Sequence, residues 1–232
     1  MADAVVSHPW DVSPAEARQI QAALADRVVL EDAIALDEIR TVAGIDNAYA
    51  GRGREAIAYA AVVVLAFPAL TPIASATASR PVSFPYVPGL LSFREIPAII
   101  DAYARLDVTP DALLCDGQGY AHPRRFGLAC HVGVLLDRPT IGCAKSRLIG
   151  IYDEPARVFG AHTPLVDRGE TVGAAVRTRP SHAPLFVSPG DQFSVAGAVA
   201  LALACCRDER FMPVPTRLAH ETVTALAHPE RA

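Results

Sequence analysis

"PDALLCDGQGYAHPRRFGLACHVGVLLDRPTIGCAK", residues 110 to 145, decides the fold. Its first part, "DALLCDG" (111–117), is a short apolar run closed by an acid and a glycine, which reads as a buried strand. "RRFGLACHVGVLLD" (124–137) is apolar over a helical length, and "PTIGCAK" (139–145) is a second short apolar run, closed by a lysine. Strand, helix and strand in so few residues form a crossover unit, so the two strands are parallel. Ligands of open α/β sheets lie beyond the carboxyl ends of the strands. Asp116 and Lys145, each ending an apolar strand, are therefore placed at the edge of a site.

Working upstream, residues 40–50, 56–67 and 72–80 are β-favouring apolar runs separated by "GRGRE" and "PALT", the pattern of an antiparallel meander. A Pro-rich loop (83–92) follows, then Phe93, Ile96, Ile99, Ile100, Tyr103 and Leu106 at helical spacing. Pro97 in that stretch is expected in the first turn, where a missing N–H costs nothing. Ser13, Pro14 and Glu16 cap a predicted helix over 13–28. Downstream, "TVGAAVRTRP" (171–180) and "APLFVSPG" (183–190) predict a hairpin, and helices are expected over 194–206 and about 217–227. The expected class is α/β: a mixed β-sheet, antiparallel meander plus parallel strands, flanked by helices. One domain is expected over 1–232, with an N-terminal helix about 13–30 and a core about 38–228.

Composition excludes several function classes. The 232 residues are 51% hydrophobic, enough for a sizeable core, and the net charge of −4 gives no global positive field for nucleic acid or anionic membranes. Five cysteines without a C-x-x-C pair suggest neither a disulfide framework nor a zinc site. The longest apolar runs (56–67 and 195–206) fall short of the ~18–20 residues of a membrane span. With no signal peptide pattern at the N-terminus, a soluble cytoplasmic protein is expected. Lys145 is the sole lysine among 21 basic residues.

Three carboxylates lie near element ends. Asp116 ends one strand, Asp46 interrupts the strand "VAGI", and Glu95 falls in the first turn of a helix. Converged, they suit one or two Mg²⁺ ions, which take carboxylate and water oxygens; taken singly, each is a turn-former or cap. Gly117 and Gly119 leave backbone amides accessible, and His122, Arg124 and Arg125 either meet phosphates or are the solvated start of a helix. Tyr86, bracketed by Pro85 and Pro88, is a stiffly presented aromatic, suited to wedging against bases or to packing. His220 alone reads as a structural or surface histidine. Cys130 and His131, adjacent on a helix, diverge by about 100° and do not make a hydrolase pair.

The stretches "VAGIDNAY", "PYVPGLLSFREIPAI", residues 110–150, "VRTRPSHAPLFVSPG" and "PVPTRLAH", in this order, resemble the endonuclease V family. The resemblance implies an RNase H-like fold and Mg²⁺-dependent cleavage (Mn²⁺ as a substitute) of the second phosphodiester bond 3′ of a deaminated purine, chiefly hypoxanthine. It implies metal binding by Asp46, Glu95 and Asp116, with Lys145 and His220 completing the catalytic set. Pro85, Tyr86, Val87 and Pro88 match the family's wedge. Leu91, Gly117, Gly119, His122, Arg124, Gly127 and Gly142 match the segments that meet nucleic acid and enclose the extruded base. The implied partner is inosine-containing DNA or RNA, met by a monomer and without a membrane. The rival expectations are an inosine-specific endoribonuclease, another RNase H-like nuclease, or a binding module that does not cut. Gln118, Asp191, Asn47 and Ser146 depart from common family forms; at Asp191 the extra charge is expected to weaken strand contact if it faces substrate, and Gln118 to alter base preference.

Overall fold

The computed structural model describes residues 7–207 and 210–229. Helix α1 (Pro14–Ala25) leads into the meander β1 (Thr41–Ala50), β2 (Ile57–Ala66) and β3 (Thr71–Pro81), followed by α2 (Leu91–Tyr103). The crossover unit is β4 (Ala112–Cys115), α3 (Leu128–Leu136) and β5 (Thr140–Ala144). Strands β6 (His162–Asp167), β7 (Glu170–Val176) and β8 (Leu185–Asp191), then α4 (Val195–Ala204) and α5 (Val214–Ala227), complete the chain.

The strands form one 8-stranded sheet in the order β3-β2-β1-β4-β5-β8-β7-β6. β1, β4 and β5 run parallel, and the strands on both sides are antiparallel to their neighbours. Helices cover both faces, so the central strands are apolar on both sides, as buried parallel strands are. Along β1, Val42 packs into the core shared with α4 and α5, whereas Ala43 and Ile45 pack into the core shared with α2 and α3. Leu114 and Leu113 of β4 divide between the same two cores. This period-two alternation assigns each later side chain of β1 to a helix face.

The mixed, helix-flanked sheet follows the expected class, with three local differences. β6 is an additional edge strand, its exposed, broken pattern too weak to read as a strand. α2 begins at Leu91, so Pro97 lies in the second turn rather than the first. The helix loses the bond that the nitrogen of Pro97 cannot give to the Phe93 carbonyl, but its buried face of Phe93, Ile96, Ile99 and Ala102 holds it against the sheet. α3 begins at Leu128, not at Arg124, because residues 116–127 form turns in which Arg125 adopts a positive φ of 55°.

Two glycines bring elements together at the site. A Cβ on Gly44 would land on the Pro215 carbonyl of α5, and one on Gly142 would meet the backbone of Gly117 and Gly119. Only hydrogen at these positions lets α5 lie on β1, and lets the loop after β4 lie on β5.

Candidate functional site

The site is set by register. β1 and β4 are parallel neighbours with Ile45 opposite Cys115, so the next residues, Asp46 and Asp116, emerge side by side at the carboxyl edge. The Asp116 amide is fixed by donating to the Ile45 carbonyl at 3.0 Å. Asp46 follows the tight Gly44 contact and faces α5, where His220 Nδ1 donates to its Oδ2 at 2.7 Å. One ligand atom each from Asp46, Asp116 and His220 lie within 4.8 Å of one another. From the end of β5, Lys145 Nζ donates to Asp116 Oδ2 at 2.5 Å.

Glu95 reaches the same region from α2 but stands behind the trio, and its carboxylate is not part of that 4.8 Å group. Tyr49 Oη donates to Glu95 Oε1 at 3.2 Å, and the Arg94 guanidinium lies 4.7 Å over the Tyr49 ring. Burial, with the neighbouring charges of Asp46 and Asp116, pushes the Glu95 carboxyl up to about 8 against the Tyr49 bond. Asp46 is also raised, by burial first and then by Asp116, with His220 and the Asn47 amide opposing. Carboxylates held this close are stabilised together by a divalent cation, and their hard oxygens with one imidazole nitrogen fit such an ion. Tyr49 is a residue the sequence reading overlooked, although its position three after Asp46 on a strand points it to the α2 face.

Beside this cluster lies a cavity of about 410 Å³, with Asp116 and Lys145 on the shared rim. Its walls come from Tyr86 to Gly89, from Leu91 and Ser92, from Gly117 and Gln118, from His122, Gly127 and Leu128, and from the stretch 144–148 after β5. Tyr86 is 71% exposed, an unusual state for a tyrosine in a Pro-braced loop. Gly119 and Gly142 stand behind the wall, packed so closely on backbone that a Cβ at either would collide. Pro85 and Arg124 also lie outside the cavity's walls.

The basic cluster makes contacts with distant segments that its sequence neighbours do not show. His122 is buried, with its pKa lowered to about 4 by burial and then by Arg124, so the ring is neutral. The Arg124 amide donates to His122 Nδ1 at 3.2 Å, which leaves the proton on Nε2, donated to the Gly89 carbonyl at 3.1 Å. Arg124 reaches the same carbonyl at 2.5 Å and donates to Gln21 Oε1 at 2.6 Å. Arg125 is committed to Asp167 at 2.9 Å and Glu170 at 2.8 Å. These side chains are not a solvated helix start; they clasp the Tyr86 loop, α1 and the β6–β7 turn onto the loop after β4.

Two departures resolve similarly. Asp191 is buried at the far end of β8, opposite Thr140, where its Oδ1 accepts from the Val29 amide at 2.8 Å. It anchors the segment after α1 and does not face the site. Gln118 lines the cavity and donates to the Ser146 carbonyl at 2.8 Å, tying the Asp116 loop to the Lys145 loop. A second feature invisible in sequence lies under the wall: Ser92 Oγ is 3.0 Å from His131 Nδ1, and His131 Nε2 is 2.7 Å from His8 Nε2. His131 is wholly buried, which keeps it neutral and structural.

The family model for Endonuclease V matches residues 22–221. A relative named Endonuclease V from Roseiflexus sp. (strain RS-1) is 51% identical over 217 residues, 94% of this chain and 95% of that protein. The crystal structure of Endonuclease V from Streptomyces avermitilis superposes with a TM-score of 0.89 at 40% identity, covering 98% of each chain. That of Ciona intestinalis Endonuclease V (D234N), solved with a 23mer DNA containing an inosine followed by a ribo-adenosine, gives a TM-score of 0.83 at 27% identity, covering 94% of this chain and 100% of the other.

Proposed function

We propose, from the fact that this chain belongs to the endonuclease V family, that it hydrolyses the second phosphodiester bond 3′ of a deaminated purine, leaving a 3′-hydroxyl and a 5′-phosphate. At the coarser level it is a nucleic-acid endonuclease for the repair of deaminated purines, of a family that works with a divalent metal. The observation that carries the finer reading is the placement of ligand atoms of Asp46, Asp116 and His220 within 4.8 Å of one another, with Asp116 also on the rim of a 410 Å³ cavity whose wall includes the exposed Tyr86.

The ion we assign is Mg²⁺, with Mn²⁺ as a substitute, held by Asp46 and Asp116, with Glu95 as the third acid behind them and His220 at the open side. Bound there, such an ion supplies charge neutralisation at the phosphate and acidity to a coordinated water. The chain's own side chains do the positioning. Asp46 holds Nδ1 of His220, which leaves the other ring nitrogen of this half-exposed histidine for a proton or a phosphate oxygen. Lys145 holds its Nζ against Asp116 at the point where the cavity meets the cluster. Tyr86 fills the gap left in the stack as the lesion base swings into the cavity. There Gly117 and Gly127 carry no side chains to obstruct it, and neutral His122 adds no charge to repel or trap it.

We place this action in the cytoplasm, by a monomer built as one nuclease domain over 1–232. The five cysteines are all free and buried, and among the described residues no helix is long and apolar enough to cross a membrane.

The test is cleavage of matched labelled DNA and RNA strands, each with one inosine or an adenosine in its place, in Mg²⁺ and in EDTA. The expected result is metal-dependent scission one nucleotide beyond inosine in DNA. Cleavage of RNA alone makes the protein an inosine-specific endoribonuclease. Cutting that ignores inosine makes it another RNase H-like nuclease, and binding without cutting a non-cleaving module.

A further inference from the structure

A second, smaller cavity of about 260 Å³ lies between α2 and the strands β2 and β3. Its walls include Arg80 and Arg94, Ser83, the indole of Trp10, and Ala58 and Pro97. Register places it on the same sheet edge as the cluster: Tyr49 of β1 pairs with Ala58 of β2, which pairs with Arg80 of β3. Along that edge the order is therefore the base cavity at β4 and β5, Asp46 and Asp116 at β1 and β4, and the arginine-lined cavity at β2 and β3.

Half of its lining, Ala58, Pro81, Pro97 and Ala98, is apolar, and the polar half is rich in donors. Two guanidiniums, a hydroxyl and an indole N–H offer nothing to a base edge that lacks acceptors, and suit an oxyanion. Arg94 donates to the Phe84 carbonyl at 3.2 Å and lies over Tyr49, so it stands fixed in the wall. Arg80 is paired with Asp101, and among the described residues no other acid forms an ion pair with either arginine. Asp101 offsets one of the two positive charges and leaves a net charge of one.

We propose that this cavity is a phosphate subsite for the nucleic-acid strand beyond the scissile bond, on its 3′ side. The inference rests on the endonuclease reading above and deepens it with a strand path. With the lesion base in the β4–β5 cavity and the cut 3′ of it at the cluster, the strand continues in the same direction towards β2 and β3. Arg80 on β3 lies two strands from β1, about 10 Å across the sheet at roughly 4.8 Å per strand. That is close to three nucleotides of duplex rise at ~3.4 Å each. The root of the Tyr86 loop separates the two cavities, since Ser83 lines one and Tyr86 the other.

The experiment uses the full chain and inosine-containing DNA strands that end one to six nucleotides 3′ of the scissile bond, with binding measured in Ca²⁺ and cleavage in Mg²⁺. Wild-type affinity is expected to rise about tenfold, the worth of one charge-assisted hydrogen bond, when the extension reaches about three nucleotides. A methylphosphonate walked along the extension should remove that rise at one position. Arg80→Ala should flatten the rise and lower the salt slope by about 0.7, the share of one single-strand phosphate. Asp101→Asn, which releases Arg80 from its partner, should steepen it. Each variant is compared with itself on short and long strands, so any loss of folding cancels. A rise that survives Arg80→Ala unchanged, or no position sensitive to the methylphosphonate, overturns the subsite. Failure of wild-type to cut any inosine strand instead strikes the endonuclease reading, a result this comparison keeps separate.

Discussion

Replacing Glu95 by glutamine should make the metal-free protein more stable while removing cleavage. Glu95 is buried against Tyr49, near Asp46 and Asp116, and its carboxyl is pushed from the ordinary 4.5 up to about 8. A raised acid binds a proton in the folded state that the unfolded chain has already lost, so stability falls as pH rises between those two values. Below about pH 4.5 the penalty is absent; above about pH 8 it is complete. At about 1.4 kcal/mol per pH unit, it reaches about 3 kcal/mol at pH 7 and about 4 kcal/mol at pH 8. Glutamine imitates the protonated acid, keeps an oxygen for the Tyr49 hydroxyl, and does not ionise. Asp46 is raised in both proteins and cancels in the difference. In EDTA, melting temperatures of wild-type and Glu95→Gln should therefore nearly coincide at pH 5 and separate by roughly 10 °C at pH 8, at about 2–4 °C per kcal/mol for a chain of this size. Adding Mg²⁺ should return much of the wild-type loss, because a cation at the cluster favours the charged acid, and should help the variant less. Parallel melting curves from pH 5 to 8 would refute the reasoning, as would a variant less stable than wild-type at pH 8.

Three further predictions follow from the site's geometry. Asp116→Ala removes an acid of the metal cluster and the partner of Lys145; cleavage should fall at least ~10³-fold, the equivalent of about 4 kcal/mol of transition-state stabilisation, while inosine-strand binding in a gel-shift assay remains measurable. Tyr86→Ala should lower the preference for inosine over adenosine by roughly 5- to 100-fold, the range of about 1–3 kcal/mol for an aromatic stacked on a base; an unchanged cleavage ratio would remove the wedge role. Gly44→Ala drives a methyl group into the Pro215 carbonyl and should lower the melting temperature by about 3–10 °C, from ~1–3 kcal/mol of overpacking. Since that contact also sets the distance from Asp46 to His220, cleavage per folded molecule, measured well below the melting point, should drop as well.

The parts of the molecule that were legible in sequence are those specified locally. Apolar runs of strand length marked β1, β2, β4 and β5, and an acid or lysine closing a run put Asp116 and Lys145 at the sheet edge. What was not legible depends on partners distant in sequence. His122, Arg124 and Arg125 look like a phosphate grip because nothing nearby shows that Gly89, Gln21, Asp167 and Glu170 use their donors. Asp191 reads as an added charge that weakens strand contact if it faces substrate, until β8 turns it towards the Val29 amide. His220 read as an ordinary helix histidine because its pairing with Asp46 spans 174 positions. Pro97 misled for the opposite reason: a local rule yielded to the apolar face of α2 buried on the sheet.

The clasping role of the basic residues bears on how a protein of net charge −4 selects its substrate. If Arg124 and Arg125 gripped phosphates, affinity would come from the backbone of any strand, with little regard for the base. With both committed to holding loops, the charges left at the base cavity are few: Lys145, itself paired with Asp116, and Arg147. Backbone attraction there is weak, and the acids of the cluster oppose it until a cation is bound. The strand is then held at the cut mainly when a base enters the 410 Å³ cavity and Tyr86 takes its place in the stack. A normal paired base pays more to leave the duplex than a mismatched or damaged one. Weak charge at the entrance thus turns the cost of base extrusion into selectivity, which a strongly basic surface would mask.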